Sequence, residues 1–245
     1  MMEFTKGGKN IYGYPIGIIA LETDFPRIIG DIGNALTWDF PVLYNIVKGS
    51  TPTEIVEKKP NPKWLNCFVK SAQELERMGV QAITTTCGFL ALYQEELSNS
   101  VNIPLYTSSI IQIPLIYRML KKQQKIGIIT INSKALTKQH LSNVGIDSVP
   151  LVIYGAEKTS EFINVFYFRK KISIDIKKAE KELVGLARKM LKEHPEVGAI
   201  VLECTNMPSY ASSIQEEVRL PIFDIYTLTT MMYESICRKS FLNRY

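Results

Sequence analysis

Short apolar runs alternate with longer segments of helical period along the chain. Such runs fall at residues 16–21, 80–86, 104–107, 125–131, 148–153, 198–203 and 221–225, and several are rich in Val and Ile. Several are apolar almost throughout, the pattern of parallel strands covered on both faces. Between them, in residues 62–78, Trp64, Leu65, Phe68, Val69, Ala72 and Leu75 recur at spacings of three and four. That spacing predicts a helix with one apolar stripe, stopped by Gly79. Residues 174–191 and 225–241 read the same way. Strand–helix alternation of this kind predicts an α/β fold with right-handed crossovers. Two segments break the pattern. Residues 1–14 are polar and read as a loose tail. Residues 22–61 carry Pro26, Pro41, Pro52 and Pro60, with Pro62 just beyond, and also hold Trp38 and Phe40. A stretch so long with little regular pattern reads as a functional flap.

The chain also repeats itself. Residues 82–87 end in Cys87, residues 199–204 end in Cys204, and the two cysteines are 117 residues apart. Ile103-Pro104 and Leu220-Pro221 return at the same spacing of 117. Ile16-Gly17-Ile18-Ile19 and Ile126-Gly127-Ile128-Ile129 match at a spacing of 110. The chain therefore reads as two half-repeats. Each places a cysteine at the carboxyl end of an apolar strand and just before a helix. Ligands bind at that edge in open parallel sheets, and a helix start favours thiolate and carboxylate alike. Hydroxyl and amide groups gather there: Thr84, Thr85 and Thr86 before Cys87, and Thr205, Asn206 and Ser209 after Cys204. Two facing lobes would set one thiol on each side of a bound carbon, to remove a proton from one face and return one to the other. Cys67 and Cys237 lack repeat partners and read as packing residues. Arg27 is a candidate partner for a substrate carboxylate. Asn34 reads as a site amide or as a turn residue.

Composition narrows the classes. With 245 residues, 46% apolar and 22% charged, the chain has the make-up of a folded domain. Its apolar runs are too short for a membrane helix, and no signal-peptide pattern is seen. A soluble cytoplasmic protein with free thiols is expected. The formal net charge of +5 comes from local basic runs, at Lys121-Lys122 and from Arg169 to Lys178, which read as solvated faces and not as a nucleic-acid site. The two histidines, His140 and His194, both read as surface residues. No clustered Cys/His spacing points to a metal, and no dinucleotide or phosphate-loop motif is present, so no cofactor is expected.

These residues resemble the aspartate/glutamate racemase superfamily, which includes hydantoin racemases, maleate isomerases and arylmalonate decarboxylases. Cys204-Thr205-Asn206-Met207-Pro208 is similar to its second motif, Gly-Cys-Thr-x-x-Pro, and Thr86-Cys87-Gly88 stands where its first, Cys-Asn-Thr, belongs. Residues 125–130 resemble the strand that opens its second lobe, and residues 25–34 resemble a racemase-like branch. The likeness runs from about residue 15 to 240. It implies two similar flavodoxin-like lobes, each a mostly parallel sheet flanked by helices, related by a pseudo-two-fold with the site in the cleft. The division it implies is 15–108 plus 222–245 for the N-terminal lobe and 109–221 for the C-terminal lobe. Gly88 replaces the usual Asn, and Glu203 replaces the usual Gly. Both departures argue against glutamate racemase proper.

The expected function is cofactor-independent amino-acid racemisation, an isomerase activity with Cys87 and Cys204 as opposed acid and base. Thr85, Thr86, Gly88, Thr205, Asn206, Arg27 and Asn34 would hold a small carboxylate or amino-acid substrate. Maleate isomerisation, malonate decarboxylation, or binding without catalysis are the alternatives on the same scaffold. The family and the apolar content point to a homodimer.

Overall fold

Two parallel sheets form, each built around a central strand that opens one half of the chain. The computed structural model describes residues 7–59 and 61–240. In the first sheet β1 (Ile16–Leu21) lies between β2 (Val42–Val47) and β3 (Ala82–Thr85). In the second, β4 (Lys125–Thr130) pairs with β5 (Leu151–Gly155) and β6 (Val197–Leu202), and β7 (Ile222–Phe223) extends the sheet beyond β6. All pairings are parallel. β1 and β6 are buried along their whole length, which is why their sequences are apolar throughout.

Helices cover the sheets. α1 (Lys63–Met78) buries Trp64, Phe68, Ala72 and Leu75 and ends at Gly79 in the left-handed region, with φ at 99°. α2 (Ile176–Glu193) starts at Asp175, whose side chain accepts from the Lys178 N–H, and buries Ala179, Leu183, Ala187 and Met190. α3 (Ala211–Val218) packs on α2. α4 (Ile225–Ile236) is capped by Asp224. It packs Ile225 and Leu228 against Ile16, Ile18, Trp38 and Phe40 of the first half. The chain thus returns to the first sheet after β7, so strand 222–223 stays with the second. No helix among the described residues is long and apolar enough to cross a membrane.

The duplication is visible bond by bond. Ile83 pairs with Leu105, and Ile200 pairs with Ile222, each pair shifted by the same repeat. The Ile83 N–H donates to the Pro104 carbonyl at 2.9 Å and the Ile200 N–H to the Pro221 carbonyl at 3.0 Å. Thr86 N–H meets the Ile19 carbonyl at 2.9 Å, and Glu203 N–H meets the Ile129 carbonyl at 2.8 Å.

Several expectations change. Run 104–107 makes only a bridge at Leu105. The flap contains β2, a half-exposed edge strand whose pattern the surrounding prolines and glycines conceal. The last helix ends at Ile236, and residues 241–245 lie outside those described. Of the expected tail, residues 1–6 lie outside them too, and residues 7–15 form no helix or strand. Cys67 is exposed, so it does not pack in the core, because the stripe of α1 passes through Trp64 and Phe68 instead. His140 is fully buried against Phe89, where a surface residue was expected. It closes a capping box with Thr137.

Candidate active site

The carboxyl ends of β3 and β6 meet across a narrow cleft of about 30 Å³, far below the roughly 300–1,000 Å³ of typical ligand sites. Both cysteines line it, Cys87 at 6% and Cys204 at 7% exposure. Each follows its strand directly. Cys87 caps the short turn Gly88–Tyr93, and the backbone N–H groups of Phe89 and Leu90 face its sulfur. Cys204 donates toward Asn206 Oδ1 at 3.5 Å. Cys87, Cys204, Thr86, Gly88, Thr205, Asn206 and Arg27 all line the cleft.

Most of their polar atoms are already engaged. Thr205 Oγ1 donates to the Thr86 carbonyl at 2.7 Å and ties the lobes together. Thr86 Oγ1 accepts from the Leu21 N–H at 3.0 Å. Asn206 Nδ2 donates to Asp31 Oδ2 at 2.6 Å, and Arg27 holds the other oxygen of Asp31 at 2.5 Å. A chain of contacts therefore runs from Cys204 through Asn206 and Asp31 to Arg27. Thr85 lies beneath the cleft, donating to the carbonyls of Cys87 and Thr107. Asn34 sits away from it, as the cap of the turn Ala35–Thr37, with an extended backbone at φ −100°. Gly30, with φ at 101°, lets the flap lie against Ser209. A Cβ there would fall 2.5 Å from the Ser209 Cα. Sequence reasoning did not find Asp31 or Phe25 as part of this site. Residues 27–31 form no helix, so their spacing of four carried no pairing signal and Asp31 left no mark in the sequence.

Glu203 lines the cleft, although it directly precedes Cys204. It is buried, and its Oε2 accepts from Thr130 Oγ1 at 2.7 Å. Its Oε1 has no hydrogen-bond partner. Gly88 makes the room: a Cβ there would overlap Glu203 Oε1 and lie 2.5 Å from the Glu203 carbonyl oxygen. The two departures from the racemase motifs are therefore one paired feature.

Burial and crowding set the ionisation. Burial pushes Glu203 up to about 7, with the Thr130 hydroxyl and Ile131 N–H opposing. Cys87 is pushed up to about 12, first by burial and then by the Glu203 charge. Cys204 is held well above the usual thiol range by burial and Glu203, with Cys87 and Asp31 adding to it. Each negative charge thus opposes the others. Among the described residues, no three His, Cys, Asp or Glu side chains converge as a metal site would require.

No family model matches the chain. The chain is 27% identical over 221 residues to "Dimethylsulfoniopropionate lyase" of Durusdinium sp. clade D, covering 88% of this chain and 72% of that protein. It is 27% identical over 231 residues to "Dimethylsulfoniopropionate lyase 3" of Emiliania huxleyi, covering 90% of this chain and 59% of that protein. Among solved structures it is similar to allantoin racemase from Klebsiella pneumoniae, with a TM-score of 0.62, 15% identity, and coverage of 91% of this chain and 87% of that one. A sulfate-associated Gly74Cys mutant of arylmalonate decarboxylase gives a TM-score of 0.61 at 13% identity, covering 90% and 92%. Glutamate racemase from Francisella tularensis subsp. tularensis SCHU S4 gives 0.53 at 17% identity, covering 94% and 85%. The chain shares the two-sheet α/β fold of these racemase and decarboxylase structures.

The expected activity is corrected by the same comparisons. The relatives matched along most of the chain are lyases, so amino-acid racemisation, and the isomerase class with it, are withdrawn. The motifs misled because they mark a cysteine pair beside an acidic C–H, and several chemistries share that need.

Proposed function

We propose that this chain is a lyase acting on dimethylsulfoniopropionate or a close β-sulfonio carboxylate. The observation that carries this reading is the match to proteins of that name over 88–90% of the chain. The reaction asks little of a protein. A base removes a proton from the carbon next to the carboxylate. The C–H electron pair becomes the new C=C bond, and the C–S pair leaves with the sulfur. The products are acrylate, dimethyl sulfide and a proton.

The cleft supplies the required parts. Cys87 or Cys204, as thiolate, takes the proton. A thiol held up at about 12 is ionised in only roughly one molecule in 10⁵ at neutral pH. A bound sulfonium offsets the crowded negative charge and so favours the thiolate when substrate is present. The apolar rings of Phe25 and Phe89 line the same cleft and exclude water. The four cysteines are free thiols, which suits a reducing cytoplasm.

The test is direct. Purified protein with dimethylsulfoniopropionate should release dimethyl sulfide, measured by headspace gas chromatography, with equimolar acrylate. Cys87→Ser and Cys204→Ser should retain the fold, and the variant lacking the base should lose about 100-fold or more in rate. No dimethyl sulfide from the wild-type chain, or full activity in both variants, refutes the reading.

A further inference from the structure

Only two of the described residues lining the cleft carry charge, Arg27 and Glu203. They are not equivalent. Arg27 is closed into an ion pair with Asp31 at 2.5 Å and donates to Thr23 Oγ1 at 2.8 Å. Its guanidinium also lies 4.7 Å from the centre of the Phe25 ring. Glu203 is 1% exposed and has no cationic partner; the Thr130 hydroxyl and the Ile131 N–H approach its carboxyl, and Oε1 makes no hydrogen bond. A buried carboxylate oxygen in that condition is costly unless a ligand completes it. An N–H donor would complete it by a hydrogen bond. A fully alkylated onium, sulfonium or quaternary ammonium, carries only C–H groups and completes it by charge while its methyl groups pack on the neighbouring rings.

We propose that Glu203 is the counter-charge that selects a carboxylate bearing a fully alkylated onium group, a sulfonium or a quaternary ammonium, over uncharged analogues of the same shape. This rests on the lyase reading for the ligand's chemical class, and it assigns the recognition to one residue. Gly88 belongs to the same device, because any side chain there would displace the Glu203 carboxyl. The groups facing Glu203 from the other elements fit the role. Cys87 and Cys204 stay protonated well above neutral pH, and Thr130 donates only to the second oxygen. The Arg27–Asp31 pair is closed on itself. His140, behind Phe89, is held down to about 4 by burial and is neutral across the working range.

The experiment is calorimetric titration of the whole chain with two unreactive probes, 3-(trimethylammonio)propanoate and its uncharged isostere 4,4-dimethylpentanoate, at pH 6.0 and 8.5. At pH 8.5 the onium probe should bind about tenfold or more tightly than the isostere. That preference should shrink at pH 6.0, where Glu203 takes up its proton, and fall to within about threefold in Glu203→Gln at both pH values. Equal affinities in the wild-type chain at pH 8.5, no binding of the onium probe, or a preference that survives in Glu203→Gln overturns the proposal. If Glu203→Gln fails to fold, the wild-type pH dependence decides: an onium preference that is the same at pH 6.0 and 8.5 overturns it. The two readings fail separately. A Glu203-dependent preference without dimethyl sulfide release removes the lyase and keeps the onium site. Release without that preference does the reverse.

Discussion

Replacing Glu203 by Gln should make this protein more stable above neutral pH. The carboxyl is buried at the end of β6, with one oxygen held by Thr130 and the other unpartnered. Its ordinary value of 4.5 is raised to about 7, chiefly by burial. The sign follows from linkage. Between 4.5 and about 7 the unfolded chain has released this proton while the folded chain keeps it. Rising pH therefore favours unfolding through that window. At about 1.4 kcal/mol per tenfold change, the full penalty is roughly 3 kcal/mol once the group is ionised. Gln keeps the shape and can still accept from Thr130, but it never ionises. Urea unfolding followed by circular dichroism at pH 5.5, 6.5, 7.5 and 8.0 measures both proteins. The wild-type stability should fall across the series relative to the variant by roughly 2 kcal/mol. The thiols do not enter, because Cys87 and Cys204 titrate far above pH 8. Parallel pH profiles for the two proteins, or a Gln variant less stable than wild type at pH 8.0, would refute the reasoning.

Two further outcomes are expected. Gly88→Ala should destabilise the fold by about 1–3 kcal/mol through overpacking against Glu203. Adding Glu203→Gly should recover the side-chain part of that loss, leaving the contact with the residue 203 carbonyl oxygen, and a thermal-denaturation cycle giving simple additivity would contradict the coupling. His140, buried and held down to about 4, resists protonation in the fold but not in the unfolded chain. The wild-type chain should therefore lose stability as pH falls from 6.5 toward 4, and His140→Gln should flatten that limb in acid unfolding curves.

The sheet centres were the most legible part of the chain. β1, β4 and β6 are buried on both faces, so their sequences carry an unbroken apolar signal. α1 and α2 were legible for the complementary reason, a stripe of period 3.6 against a polar face. β2 was not, because an edge strand is half exposed and its residues Val42–Val47 stand among flap residues with turn signals. His140 was missed because its burial comes from Phe89, a residue of the other half of the chain. The cysteine pair was legible from the repeat, since a duplication brings equivalent strand ends together. The polar lining was legible in identity but not in role. Thr205, Thr86 and Asn206 stand at the cleft, yet their side chains bond to backbone and to Asp31. Such distant partners leave no local trace in sequence.

The departure from symmetry carries the most information about chemistry. By the repeat, Glu203 corresponds to Thr86 and Gly88 to Thr205. A hydroxyl in one half thus faces a carboxylate in the other, and a side chain in one half faces an empty position. A racemase must take a proton from one face and return it to the other, so it gains from two thiols in matched surroundings. An elimination takes one proton and returns none to carbon, and its leaving group departs with positive charge neutralised. It has no use for matched thiols and some use for a negative charge that holds the cationic substrate. The pairing of Gly88 with Glu203 supplies that charge without enlarging the cleft, because the missing side chain offsets the added one. On the lyase reading, then, the same two substitutions that weaken a symmetric proton exchange are what an onium substrate requires.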